Sequence, residues 1–420
     1  NLNRTIETFI HRYNMSLFEA MELVFPPILN EIKHYPDELK ELKDLYMSLR
    51  ETWGPFAQGP AAIISRAMDQ CVFSVDAMGL RPLWLVESES SYYFSSEQGI
   101  IPASEMVAEP RPLAPGEKVG LLLHPDGVEL LRYPQLQRWV LEATRKSWDI
   151  DGYHEHLKVE HTDNLQLHSS FGKVQPSIYS AFGWDREQQQ LVMQMSSNGA
   201  EPIRSLGDDR PLAVMAKDIQ NIPDFIKETV AVVTNPAIDR EREIEHFSTR
   251  TVLGARPSFR NGKSSLPQIE LPSPLLMEGE SGLQAAKKAE TLSFEEIIGR
   301  HQAHTHHLSL TYTAEEGMQR ALQRLASEAV QAVSQGAYLL VLDDQAFLSG
   351  EHLWIDPPLA TSKIDLSLKH HPTGEGEENL RRRVSLILRS GGLRNLHDIV
   401  TAIGLGADAV APYLMFATAE

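Results

Sequence analysis

The chain has 420 residues, 42% of them hydrophobic and 23% charged, with 39 basic against 57 acidic side chains and a net charge of -18. That length supports two or three domains with substantial cores, and the acidic balance, with no long basic run to offset it, argues against nucleic acid as a partner. The single cysteine excludes an internal disulfide, and no apolar run approaches the roughly 18 to 20 residues that a bilayer span needs.

The start, NLNRTIETFIHRYN, has no signal-peptide core, so a cytoplasmic home is expected. It also lacks methionine, which is read as the mark of a processed or excised segment. Residues 5 to 50 read as amphipathic helices: Phe9, Ile10, Leu17, Met21, Val24 and Phe25 make a stripe, Pro26-Pro27 interrupts it, and ELKELKDLYMSLR resumes it. From Gly59 the period changes. PAAIIS, CVFSVD, PLWLVES and YYFSSE are short runs rich in branched and aromatic residues, which predict a meander of antiparallel strands. EKVGLLL and VELLRYP, joined by His124-Pro125-Asp126-Gly127, predict a hairpin.

Residues 135 to 172 read as a connector, helical around LQRWVLEATRKSW, and 173 to 255 as a mixed segment with turns at SLGDDRPLAVM and VTNPAIDRERE. Between 255 and 295 the composition shifts to Pro, Gly, Ser, Lys and Glu, which predicts a long surface excursion. An α/β pattern follows: HLSLTY is a strand, Glu315 to Gln335 a helix closed by Gly336, AYLLVLDD a buried strand, and LATSKIDLSLKHH a helix. The last stretch, Arg383 to Phe416, is a complete βαβ unit. Val384 to Leu388 is a buried strand ending at Ser390-Gly391-Gly392, Asn395 is the N-cap of a helix, and Ala407 to Ala411 is the next strand. Four parallel strands with three crossovers amount to half a barrel or a doubly wound sheet.

Candidate chemistry is sparse. Cys71 lies inside the run CVFSVD and reads as a buried thiol rather than a nucleophile. His301, His304, His306 and His307 crowd one stretch, and His304 and His306 on one strand face invite a metal reading, although no carboxylate or cysteine flanks them at a customary spacing. Asp343-Asp344 ends a buried strand, where paired carboxylates serve as a cation site, as acid and base, or as caps of the next turn. Arg81 sits in a turn, suited to a carboxylate ligand or to an ion pair with Asp76 or Glu87. Ser390, Gly391 and Gly392 resemble the paired-glycine turn after strand seven of flavin-binding (β/α)8 barrels, which implies a phosphate held by backbone N–H groups with FMN as the flavin candidate, but Ala411-Pro412-Tyr413 stands where the Gly-Arg of that site's second half would be, and proline has no N–H to give. No Walker loop, HExxH, CxxC or GxSxG is present.

At GPAAI (59–63), DAMGLRP (76–82), SSEQGIIP (95–102), LAPGEKVGLL (113–122), SLGDDRPLAVM (205–215), VTNPAIDREREIEHF (233–247), LPSPLL (271–276) and the closing SGGLRNLHDIVTAIGLGADAVAPYLMF (390–416), the sequence resembles the large subunit of glutamate synthase. The resemblance implies a mixed α/β and α+β chain. Residues 1 to 125 would be the latter part of a glutamine amidotransferase domain with a partial N-terminal-nucleophile-type antiparallel sheet, 126 to 172 a connector, and 173 to 420 a central-domain-like parallel unit resembling a flavin barrel yet binding no flavin. It also implies that the family's catalytic cysteine and glutamine pocket lie before Asn1, and that its FMN barrel, iron–sulfur cysteines and β-helix lie beyond Glu420. DAMGLRP lacks the Arg-Asn of the family's DRNGLRP. The expectation is a segment serving glutamate synthesis in a structural, ammonia-guiding role, with no catalytic residue, cofactor or metal of its own. Its expected partners are other glutamate synthase segments or subunits, a homo-oligomer being compatible. The alternatives are a free-standing, catalytically silent scaffold or regulator, and an FMN or phosphate binder using Ser390 to Gly392.

Overall fold

The computed structural model describes residues 2–27, 36–39, 41–42, 46, 59–147, 174–200, 213–216, 219–227, 249–256, 268–373 and 379–419. They divide into two units, one of residues up to 147 and one of residues from 174 onward. VTNPAIDRERE and most of SLGDDRPLAVM lie outside the described residues.

In the first unit the N-terminal stripe forms helices α1 (Leu2–Tyr13) and α2 (Leu17–Val24). Ser16 starts α2 with a reciprocal cap, its Oγ accepting from the Glu19 N–H at 3.1 Å while the Glu19 carboxylate accepts from the Ser16 N–H at 2.9 Å. The resumed stripe after Pro27 lies largely outside the described residues, but Leu39, Leu42 and Tyr46 join the core of α1 and α2. Strands β1 (Ala62–Ala67), β2 (Gln70–Val75), β3 (Trp84–Glu87), β4 (Tyr92–Ser95), β5 (Arg111–Pro112), β6 (Lys118–His124) and β7 (Gly127–Leu131) precede helix α3 (Tyr133–Ser147).

The expected meander is two sheets. β1-β2-β6-β7 form an antiparallel four-stranded sheet, and β3 sits between β4 and β5 in a second. The cause is local: the Asp76 carboxylate accepts from the N–H groups of Met78, Leu80 and Arg81 at 3.0 to 3.2 Å, closing a tight turn that sends β3 away from β2. The edge of β2 is thereby left to β6, and the predicted β6-β7 hairpin is present. Lys118, fully buried at the start of β6, donates to the Phe25 carbonyl at 2.8 Å and lies 3.3 Å from Glu22. Burial pulls its pKa down and Glu22 partly restores it.

The second unit begins with α4 (Pro176–Ala181) and α5 (Arg186–Asn198), then a hairpin of β8 (Thr251–Gly254) and β9 (Gln268–Leu271), and helices α6 (Gly279–Lys288) and α7 (Phe294–Arg300). Next come β10 (Thr305–Ser309), β11 (Thr311–Tyr312), α8 (Met318–Ser334), β12 (Leu339–Asp343), β13 (Leu353–Trp354), α9 (Pro357–Lys369), β14 (Ser385–Arg389), α10 (Leu396–Gly404), β15 (Ala409–Ala411) and α11 (Tyr413–Ala419). β10-β12-β14-β15 are parallel and lie side by side in chain order, with no reversal. Among the described residues the strand order has no switch point of a doubly wound sheet, and the four strands do not close into a barrel.

Both sheet faces are buried, as the continuous apolar runs require. Leu340, Leu342, Leu386 and Leu388 face α8 and α9, where Leu325, Ala329, Ile364 and Leu368 pack. Leu339, Val341 and Ile387 face the other way, onto Leu253, Ile269, Leu271, Phe294 and Ile297. The surface excursion expected over 255–295 is thus corrected from residue 268 on. Its prolines and charges flank a period-two strand and a capped helix whose apolar residues cover one face of the sheet. Among the described residues no helix is long and apolar enough to cross a membrane.

Candidate functional site

The parallel register places Asp343 beside Arg389 and Arg389 beside Ala411, so the carboxyl ends of β12, β14 and β15 bring together Asp344 and Ser390, one residue further on, and Tyr413, two further on. In open α/β sheets this is the end where ligands bind. Here it is packed with polar side chains that satisfy one another.

Asp344 is at the centre and has no exposed surface. One carboxylate oxygen accepts from the Tyr413 hydroxyl at 2.8 Å and the Gly391 N–H at 3.2 Å. The other accepts from the Ser390 hydroxyl at 2.5 Å and the Trp354 indole N–H at 3.1 Å. All four donors are neutral. Burial raises the Asp344 pKa to about 6, with the Asp343 charge adding to the rise and the Ser390, Tyr413 and Trp354 bonds opposing it. The Tyr413 hydroxyl is pushed well above its ordinary value by burial and by Asp344.

Beside it, Arg389 is fully buried and holds three acceptors: Glu278 through two parallel bonds of 2.7 and 3.0 Å, Asp343 at 2.9 Å, and the Gln345 side chain at 2.8 Å. Its guanidinium also stands 4.9 Å from the centre of the Tyr413 ring. Burial opposes the charge, but Glu278 and Asp343 outweigh it and the pKa rises. Asp343 additionally accepts from the Gln345 N–H at 2.8 Å, which is the turn cap that the Asp343-Asp344 pair suggested. The two carboxylates therefore have separate tasks, and neither is left for a cation.

The Ser390-Gly391-Gly392 turn is covered as well as occupied. A Cβ on Gly391 would stand 2.7 Å from the Phe182 ring and 2.8 Å from the Tyr413 hydroxyl, and one on Gly392 would stand 2.8 Å from the Trp354 ring. Trp184 donates its indole N–H to the Gly391 carbonyl at 2.9 Å. Phe182 meets Phe347 and Trp354 edge-on, with ring centres 5.4 and 5.7 Å apart. The donor of the Ser390 side chain and that of the Gly391 backbone are both directed at Asp344, and the space above the turn holds aromatic rings. The residues present do not fit a flavin phosphate.

A second cluster holds the entrance to α10. Arg394 bonds the carboxylates of Asp224 and Asp398, each at 2.7 Å, and the Gly183 carbonyl at 3.0 Å. Asn395 caps the helix, its side chain accepting from the Asp398 N–H at 3.0 Å.

The other residues singled out by sequence stand apart. Cys71 is half-buried on an inner strand, opposite Arg66 on β1 and Leu121 on β6. His304 lies in the turn before β10 rather than on the strand, stacked on Tyr338 and close to the Gly336 carbonyl at 3.1 Å, so it shares no strand face with His306. Among the described residues no group of three His, Cys, Asp or Glu side chains could hold a metal. Arg81 is exposed and pairs with neither expected partner: Asp76 bonds the turn backbone, and Glu87 pairs with Arg132 at 2.7 Å. Sequence reading missed the roles of Trp354, Tyr413, Phe182 and Arg394. For Tyr413 a signal existed, since it stands two residues past the last strand.

Comparison with known proteins follows the same division. Residues 1–127 match the family described as class-II glutamine amidotransferases, and residues 177–420 match the glutamate synthase central domain. The chain is 30% identical to ferredoxin-dependent glutamate synthase 2 of Synechocystis, over 99% of its own length and 25% of that protein's. It is also 30% identical to the large chain of glutamate synthase [NADPH] from Bacillus subtilis, over 99% of its length and 26% of the relative's. The chloroplastic ferredoxin-dependent glutamate synthase of rice is 29% identical over the whole chain and 25% of the relative. The chain thus spans about a quarter of the length of the curated relatives it matches. With more than half of its residues matched by that central-domain model, the chain belongs to the glutamate synthase family.

Proposed function

We infer that this chain serves glutamate synthesis and ammonia assimilation as a structural, ammonia-guiding segment, with the parallel unit a half-barrel relative of the flavin barrels that carries no flavin of its own. Its partners in this reading are other glutamate synthase segments. The observation that carries it is the Ser390-Gly391-Gly392 turn. Its side-chain and backbone donors are taken by Asp344 at 2.5 and 3.2 Å, and the Phe182 ring lies so close over Gly391 that a Cβ there would stand 2.7 Å from it. The only cysteine gives the same direction: Cys71 is the second residue of strand β2, in register with Arg66 and Leu121, and half-buried as a packing thiol is.

The test is a titration of the purified chain with FMN, followed by flavin fluorescence. Unchanged fluorescence at tens of micromolar protein is expected. Saturable quenching that disappears on Gly391→Ala would defeat the reading, as would glutamine hydrolysis abolished by Cys71→Ser in a folded protein.

A further inference from the structure

We propose that the end of the parallel sheet is an oxyanion pocket whose resident ligand is this chain's own Asp344 carboxylate, and that a free planar carboxylate of acetate size takes its place when the side chain is removed. The proposal rests on the reading that no flavin phosphate occupies the turn. It goes further by assigning the donors a ligand class.

The donors are arranged as an anion site would be. Each carboxylate oxygen receives one hydroxyl and one N–H: Tyr413 and Gly391 on the first, Ser390 and Trp354 on the second. Each oxygen is thus held at two points in the manner of a planar carboxylate. The two N–H groups can only donate, so both oxygens must be acceptors.

The donors are held independently of Asp344. The Ser390 Oγ also accepts from the Gly392 N–H at 2.9 Å, Trp354 is fixed by the short β11-β13 ladder and the Phe182 ring, and the Tyr413 ring stacks under Arg389. Among the described residues no cation donates to Asp344, and the Arg389 guanidinium is engaged by Glu278, Asp343 and Gln345. The selectivity expected is that of a neutral hydrogen-bond cage, favouring a planar carboxylate over a tetrahedral phosphate.

Asp344→Gly removes the heavy atoms of one acetate and with them the acceptor that the four donors share. The experiment is thermal unfolding of the full chain with this substitution, in sodium acetate and in sodium chloride of equal concentration. Acetate at about 0.2 M is expected to raise the midpoint by several degrees over chloride, or to recover folded signal if the variant is unfolded in chloride. Wild type should show no difference between the salts. Adding Trp354→Phe to Asp344→Gly removes one donor and should demand about tenfold more acetate for the same shift. Equal behaviour in acetate and chloride overturns the proposal whether or not the variant folds, and so does stabilisation by phosphate but not acetate. FMN quenching by wild type would instead defeat the reading beneath it, so the two failures are distinguishable.

Discussion

At the scale of single residues, the energetics turn on a buried charge held by neutral groups. A carboxylate without a cationic partner costs stability unless several hydrogen bonds satisfy it, and Tyr413 supplies one of four to Asp344. Tyr413→Phe keeps the ring beside Phe182 and removes only that bond. Unfolding free energy should fall by about 1.5 to 3 kcal/mol at pH 8, the range for a hydrogen bond to a charged group, and by less at pH 5, where Asp344 is protonated. A loss that does not change with pH would mean that the hydroxyl serves packing rather than the carboxylate.

The same group sets a pH dependence of known sign. Burial raises the folded-state pKa of Asp344 to about 6 from its ordinary 3.8, so the folded protein holds that proton more tightly than the unfolded chain does. The stabilisation this confers is complete below pH 4 and is lost as pH rises through 6. The stability difference between wild type and Asp344→Ala should therefore shrink by about 2 kcal/mol from pH 4 to pH 7. Denaturant titrations at several pH values measure it, and a difference that grows over this window would show that the four donors outweigh burial.

At the scale of elements, the segment from 268 to 300 tests how well composition reports burial. Phe294 is fully buried in the core between α7 and the sheet. Phe294→Ala is expected to cost about 3 to 5 kcal/mol, as large-to-small changes in cores do, and a cost within about 0.5 kcal/mol in urea titrations would return the segment to the surface. The sequence misleads here because Pro272, Ser273, Glu278 and Glu280 lie between the few apolar residues that matter. By contrast β12 and β14 are legible, since a strand buried on both faces must be an uninterrupted apolar run. The Ser390 turn and the Asn395 cap are legible for local reasons, being written in adjacent residues. What joins Asp344 to Ser390 is a separation of 46 positions bridged by parallel register. No local pattern states that register. Phe182, which covers the turn, comes from a segment of no clear period.

At the scale of the whole molecule, the described residues build separate cores, with no residue shared between the clusters of the first unit and those of the second. Each unit also holds a buried ionic device of its own: Lys118 with Glu22 in the first, Arg394 with Asp224 and Asp398 in the second. Removing one partner of a buried pair costs about 3 to 5 kcal/mol, because the other charge remains buried without compensation. Lys118→Met leaves Glu22 with the Tyr46 hydroxyl at 2.5 Å as its main support. If the cores are energetically independent, that cost falls on the first unit alone. Hydrogen exchange resolved by segment should then show faster exchange in β2 and β6, with the amides of β12 and β14 at wild-type rates. Acceleration in both would mean that the units open as one cooperative structure and that their cores are not energetically independent.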